Sequence, residues 1–238
     1  MSKLTKILLN IPHTSVNGIF DREIGGWQRN AFFMNDCVMK LTDWYVDMLF
    51  ATDRPQVSAV VFPYSRFVCD VERLENDAME AVGQGIIYTE YGGYKRVPRS
   101  AVQQERIMNM WREHQCSLVN EIEDGSTVLI DCHSFSGGYR ECDICIGFND
   151  DWSFDPAVVY GIERIFKKSG YSTAINSPYS NAITPKTDKR YKSVMIEVNK
   201  RVYMTGSGNL LNYNTRQWMR WYGTLNRIYD YLTELDFE

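Results

Sequence analysis

Val128-Leu129-Ile130-Asp131-Cys132-His133 is the stretch on which the reading of this chain turns. It is apolar nearly throughout, without the alternation of a half-exposed strand, and so reads as a strand buried on both faces of a sheet. It closes on an imidazole. Two other runs share its form. Ile7-Leu8-Leu9-Asn10-Ile11-Pro12-His13 also closes on a histidine, and Ser193-Val194-Met195-Ile196-Glu197 closes on a carboxylate. Ligands of open α/β sheets bind outside the carboxyl ends of the strands. Two imidazoles and a carboxylate at three such ends, in a chain with only three histidines, point to a metal-assisted hydrolase.

Working outward, further Val- and Ile-rich runs lie near 57–62 and 142–147, bounded by Pro, Gly, Asp or Asn. Helical spacing of apolar residues occupies the intervals. Val38, Leu41, Trp44, Tyr45, Met48 and Leu49 predict a helix over 35–51. Val102, Ile107, Met110, Trp111, Leu118, Val119 and Ile122 predict one over 100–123. Asp155-Pro156 opens one over 156–168, and Trp218, Trp221, Leu225, Ile228 and Leu232 mark one over 215–235. Strands alternating with helices predict an α/β fold: three layers, a mostly parallel or mixed central sheet, helices on both faces, and one domain over 1–238. Residues 76–99 and 176–192 are long irregular connections, of the kind that often carry binding groups.

Composition narrows the function classes. Across 238 residues, 44% hydrophobic and 13% aromatic content is enough for a sizeable core. A net charge of −4 and a pI near 5.5 lack the basic footprint of a nucleic-acid binder. No run is long enough to span a membrane, and the N-terminal segment lacks a signal-peptide cleavage site; a soluble cytoplasmic protein is expected. The six cysteines then read as thiols, not disulfides. Cys142 and Cys145 form a C-x-x-C with no second pair and no nearby histidine, and read as structural.

Each candidate residue has two readings. His13, after Pro12, is either a metal ligand held by a strand end or a loop histidine bonded to backbone. His133 shares a strand face with Asp131, two residues back, which either orients its ring or meets a nearby cation; the other reading of His133 is a strand edge entering the Gly137-Gly138 loop. His114 lies mid-helix with no ligand partner at i+4 and reads as structural. Arg66, Asp70, Glu72 and Arg73 follow the strand at 57–62; the two arginines either take an anionic substrate group or pair with the two carboxylates within the loop. Glu197 in an apolar run is either a desolvated general base or an outward-facing residue. Asp43, on the predicted 35–51 helix, either faces solvent or supplies an oxygen ligand.

Taken in order, these pieces resemble the N-formylglutamate amidohydrolase family. The matching segments are Pro12-His13, Thr42-Asp43-Trp44, Ser65-Arg66 through Asp70-Val71-Glu72-Arg73, Gly83-Gln84, His114, Asp131-Cys132-His133-Ser134, Ile196-Glu197 and Tyr203-Met204. The family is related to zinc carboxypeptidases and aspartoacylases. The likeness implies a phosphorylase/hydrolase-like α/β fold and one Zn2+ held by His13, His133 and a third ligand. Val16 stands where a glutamate usually follows the first histidine, so the third ligand is assigned to Asp43. The likeness further implies Glu197 as general base and acid, Arg66 as oxyanion stabiliser, and Arg73 with Glu72 and Asn176 as substrate-binding residues. The implied substrate is a small N-acylated amino acid such as N-formylglutamate. A carboxypeptidase-like peptidase and a catalytically inactive small-molecule binder are the rival readings.

Two segments depart from the family pattern. Its D-L-N-R motif appears as Asp70-Val71-Glu72-Arg73, with a charge where a neutral amide is usual. Its N-G-R-F-K-G-G stretch appears as Asn176-Ser177-Pro178-Tyr179-Ser180-Asn181-Ala182, without the arginine and lysine. Both departures bear on the choice of substrate more than on hydrolysis.

Overall fold

In a computed structural model, which describes residues 5–137, 141–211 and 215–237, the buried runs of the sequence become neighbouring strands of one sheet. Its order is β2-β1-β5-β8-β6-β7. The strands are β1 (Lys6–Ile11), β2 (Val57–Val61), β5 (Thr127–Phe135), β6 (Ile144–Gly147), β7 (Thr173–Ile175) and β8 (Lys192–Asn199). β1 and β5 are parallel, as are β5 and β8, and β6 and β7; β6 runs antiparallel to β8. The expected mixed, mostly parallel sheet flanked by helices is therefore present. A separate hairpin pairs β3 (Glu90–Tyr91) with β4 (Tyr94–Lys95) inside the stretch read as irregular.

The chain divides into two compact units. The first contains the residues up to Ile11, Tyr45–Ala59 and the residues from Val119 onward; the second contains Pro12–Trp44 and Val60–Leu118. In the first, alternate strand residues (Ile7, Leu9, Val128, Ile130, Val194, Ile196) pack with the helices α3 (Val46–Leu49), α5 (Pro156–Lys168) and α6 (Arg216–Thr233) in one core. Trp221 lies at its centre, fully buried, with its indole N–H donating to the Leu49 carbonyl at 2.8 Å. The alternation that buries those residues turns Asn10, Asp131, His133, Met195 and Glu197 to the opposite sheet face.

Local chemistry sets the helix ends. Asp155 caps α5 by accepting from the amides of Ala157 and Val158, Pro156 supplies the first helical residue, and Gly170 with φ +82° follows its end. Thr215 caps α6 by accepting from the Trp218 amide. The helices predicted over 100–123, 156–168 and 215–235 match α4 (Ala101–Glu121), α5 and α6.

The helix expected over 35–51 is broken. Helical turns α1 (Ala31–Phe33), a π-type turn at Met34–Val38 and α2 (Met39–Leu41) end at Thr42, whose backbone is extended; Tyr45 is left-handed at φ +63°, and α3 begins after it. The Thr42 hydroxyl bonds back to the Val38 carbonyl, and the Asp43 amide leaves the helical ladder to donate to the His13 carbonyl. Asp43 thus lies in the break between helices.

The second unit has an aromatic core of Trp27, Phe33, Phe67 and Tyr88, and a second, mostly aliphatic one of Ile24, Val68, Val71 and Ile107 around Phe62. Arg96, almost fully buried, donates to the carbonyls of Ile24, Gly25, Val68 and Tyr88. It meets backbone dipoles instead of an acid, and burial pushes its guanidinium down to about 10.

Candidate active site

Each unit builds a carboxylate–imidazole pair. In the second unit, His13 follows the end of β1 and its ring is fully enclosed. Its Nε2 lies 2.9 Å from Oδ1 of the fully buried Asp70. A carboxylate can only accept, so this contact places the ring proton on Nε2 and leaves the lone pair on Nδ1. Nδ1 faces two further carboxylates: Glu72 Oε2 at 3.5 Å and Asp43 Oδ2 at 3.8 Å.

Asp70 is the hub of this group. Its Oδ2 accepts from the Tyr88 hydroxyl at 2.8 Å and lies 3.4 Å from Arg66 Nη2 and 3.6 Å from Arg73 Nε. Its burial works to raise the carboxyl, but the charge of Arg66, the hydrogen bond from His13 and the charge of Arg73 outweigh that and hold it far below the usual carboxylate range. Burial opposes the charged form of Arg66, and the negative charge of Asp70 more than offsets it. Arg66 Nη2 also comes within 3.1 Å of His13 Nε2. Two donors do not bond each other, so Asp70 is the acceptor that serves both.

The first unit repeats the arrangement on the sheet. His133 Nε2 lies 3.2 Å from Asp131 Oδ1. His133 is not the last strand residue, since β5 continues to Phe135, but it sits in register with Glu197 of β8. Across β8's other edge, Cys145 is also in register with Glu197. The imidazole and the glutamate are therefore adjacent on one sheet face, both largely buried.

A match to the family model described as N-formylglutamate amidohydrolase runs over residues 5–204. This chain belongs to the N-formylglutamate amidohydrolase family. A crystal structure of N-formylglutamate amidohydrolase from Ralstonia eutropha JMP134 superimposes with a TM-score of 0.76 at 19% identity, covering 97% of this chain and 94% of that one. A gene product of Agrobacterium tumefaciens gives 0.63 at 14% identity, over 97% and 91% of the two chains. At these identities the structural likeness speaks for the fold. No curated protein matches the chain.

Within this N-formylglutamate amidohydrolase-family chain, the second unit brings together His13, Asp43, Arg66, Glu72 and Arg73, and the first brings together His133 and Glu197. Asn176 is placed as an anchor: its side-chain carbonyl accepts from the Phe148 amide, and its own amide donates to the Ile146 carbonyl. His114 is buried in α4, edge-on to Phe62 with centroids 5.5 Å apart, in keeping with a structural part. Cys142 and Cys145 are free thiols. The sequence offered Asp70 as a partner for the neighbouring arginines, which it is here, but gave no sign of its bond to His13 or of Tyr88. Asp70 stands between two arginines in sequence, which was the available signal; nothing in the local sequence marks Tyr88.

The donor chemistry fits a zinc ion. Zinc–nitrogen and zinc–oxygen bonds of about 2.0–2.2 Å at tetrahedral angles separate two ligand atoms by roughly 3.3–3.5 Å, and His13 Nδ1 to Glu72 Oε2 is 3.5 Å. Ligating histidines usually donate their second ring N–H to a carboxylate, and each ring here has its Nε2 beside a carboxylate oxygen, at 2.9 Å for His13 and 3.2 Å for His133. Among the described residues, no helix is long and apolar enough to cross a membrane.

Proposed function

We propose that this chain is a zinc-dependent hydrolase of the amide or formamide bond of a small N-acylated amino acid, with N-formylglutamate as the reference substrate. The observation that carries this reading is the repeated carboxylate–imidazole pair, with Glu197 in register beside the second ring. β1 and β5 are neighbours with Asn10 paired to Asp131, and His13 and His133 follow those two residues closely in sequence. His13 and His133 are assigned as ligands through Nδ1. Glu72 is assigned as the oxygen ligand, because it approaches His13 Nδ1 more closely than Asp43 does; Asp43 is the alternative donor.

Zinc held by three protein ligands supplies an open position for water and makes that water more acidic. The remaining roles belong to the chain. Glu197 accepts a proton from the attacking water and returns it to the leaving nitrogen. Arg66, held against Asp70, stabilises the oxyanion as the carbonyl becomes tetrahedral. Arg73 has a partly exposed side chain and engages Asp70 through Nε; its terminal nitrogens take the substrate carboxylate. Asn176 contributes through its side-chain amide nitrogen and by anchoring the 176–182 stretch.

The test is zinc content together with hydrolysis of a panel of N-formyl and N-acyl amino acids and short peptides. One zinc per chain and turnover on the acylated amino acids are expected. In Glu197→Gln, zinc stays bound while kcat falls by about 10²–10⁴-fold. A metal-free protein inert across the panel, or full activity in Glu197→Gln, rejects the assignment.

A further inference from the structure

We propose that Asn10 is a positioning residue for His133, acting through Asp131. This inference rests on the reading of His133 as a metal ligand, but its geometry lies wholly within the first unit. Asn10 is the one polar side chain between Lys6 and Pro12 of an otherwise apolar run, and it is fully buried. An amide in such a place is costly unless it is hydrogen-bonded. Its Nδ2 donates to Asp131 Oδ1 at 2.8 Å, the same oxygen that faces His133 Nε2 at 3.2 Å. The other oxygen, Oδ2, accepts from the Ile183 amide at 3.1 Å.

Asp131 is thus held from three directions: by β1 through Asn10, by the 176–192 connection through Ile183, and by the imidazole it serves. Two donors fixed by the backbone and by a strand residue stop the carboxylate from rotating away. They also balance a charge that is only 2% exposed. A carboxylate locked in that way holds the ring with its proton on Nε2. A leucine or alanine at position 10 removes one donor, so Asp131 gains rotational freedom and the ring loses its single orientation.

The experiment reads the ring directly. In the metal-free protein, at a pH where the imidazoles are neutral, long-range proton–nitrogen correlation reports the tautomer of each of the three histidines. The parent is expected to show His133 as one Nε2–H tautomer, and Asn10→Leu a mixture. Zinc affinity, measured by competition with a chromophoric chelator, is expected to fall about 10–100-fold in Asn10→Leu, the usual effect of losing an outer partner of a ligand, with KM little changed. Asn10→Ala, which adds no bulk, serves where the leucine variant does not fold. An unchanged His133 tautomer in a folded Asn10 variant, or a parent without the Nε2–H form, overturns the proposal. A parent with the expected tautomer that binds no zinc rejects the zinc assignment and leaves the positioning role standing.

Discussion

Asp70 shows how one side chain sets the character of a site. It accepts from His13 and Tyr88 and pairs with Arg66 and Arg73. An asparagine in its place would keep the shape and remove the charge, leaving two guanidiniums poorly paired and a single oxygen to accept where two accept from His13 and Tyr88. Breaking a buried ion pair costs about 3–5 kcal/mol. The partial exposure of Arg66 and Arg73 places Asp70→Asn near about 3 kcal/mol. For a chain of this size that lowers Tm by roughly 6–12 °C, measured by thermal unfolding of the metal-free protein. The sign of the pH dependence follows from the depressed carboxyl. Its stabilisation is fully present above the unfolded value of about 3.9 and is lost as pH falls toward the folded one. The parent should therefore lose stability on acidification below about pH 4 more steeply than Asp70→Asn. Equal slopes would show that Asp70 carries no such linkage.

At the scale of elements, legibility followed the source of each signal. α5 was readable to its boundaries because cap, first residue and terminal glycine are all local: Asp155, Pro156 and Gly170. Asp155→Ala removes the acceptor for two amides and is expected to cost about 1 kcal/mol, a fall in Tm of roughly 2–4 °C, with zinc content unchanged. The 35–51 segment misled because its apolar spacing is helical on both sides of the break, while the break is made by a distant partner, the His13 carbonyl that takes the Asp43 amide. β7 and the β3–β4 hairpin were missed since strands of two or three residues carry almost no periodicity. At the candidate site, His13, His133 and Glu197 could be picked out as candidates because titratable groups stand out in apolar runs. Asp70 gains its meaning from contacts with Arg66, Arg73 and Tyr88 as well as His13, and the Tyr88 contact spans 18 positions that spacing rules do not cross.

For the whole molecule, the two carboxylate–imidazole pairs reside in separately packed units, each with its own core. Each imidazole has a carboxylate partner from its own unit. If His13 and His133 are ligands as proposed, the cation is one that the native chain binds and the unfolded chain largely does not. Such a ligand stabilises by about 4 kcal/mol at a thousandfold excess over its Kd, a Tm rise of roughly 8–16 °C here. Stripping zinc with a chelator should therefore lower Tm by that amount, and returning zinc should restore it. His13→Ala and His133→Ala should each abolish the zinc-dependent increment, because each removes a ligand of the proposed ion. Should His133→Ala keep the full increment while His13→Ala loses it, the cation belongs to the His13, Asp43 and Glu72 group alone, and His133 acts with Glu197 on substrate instead.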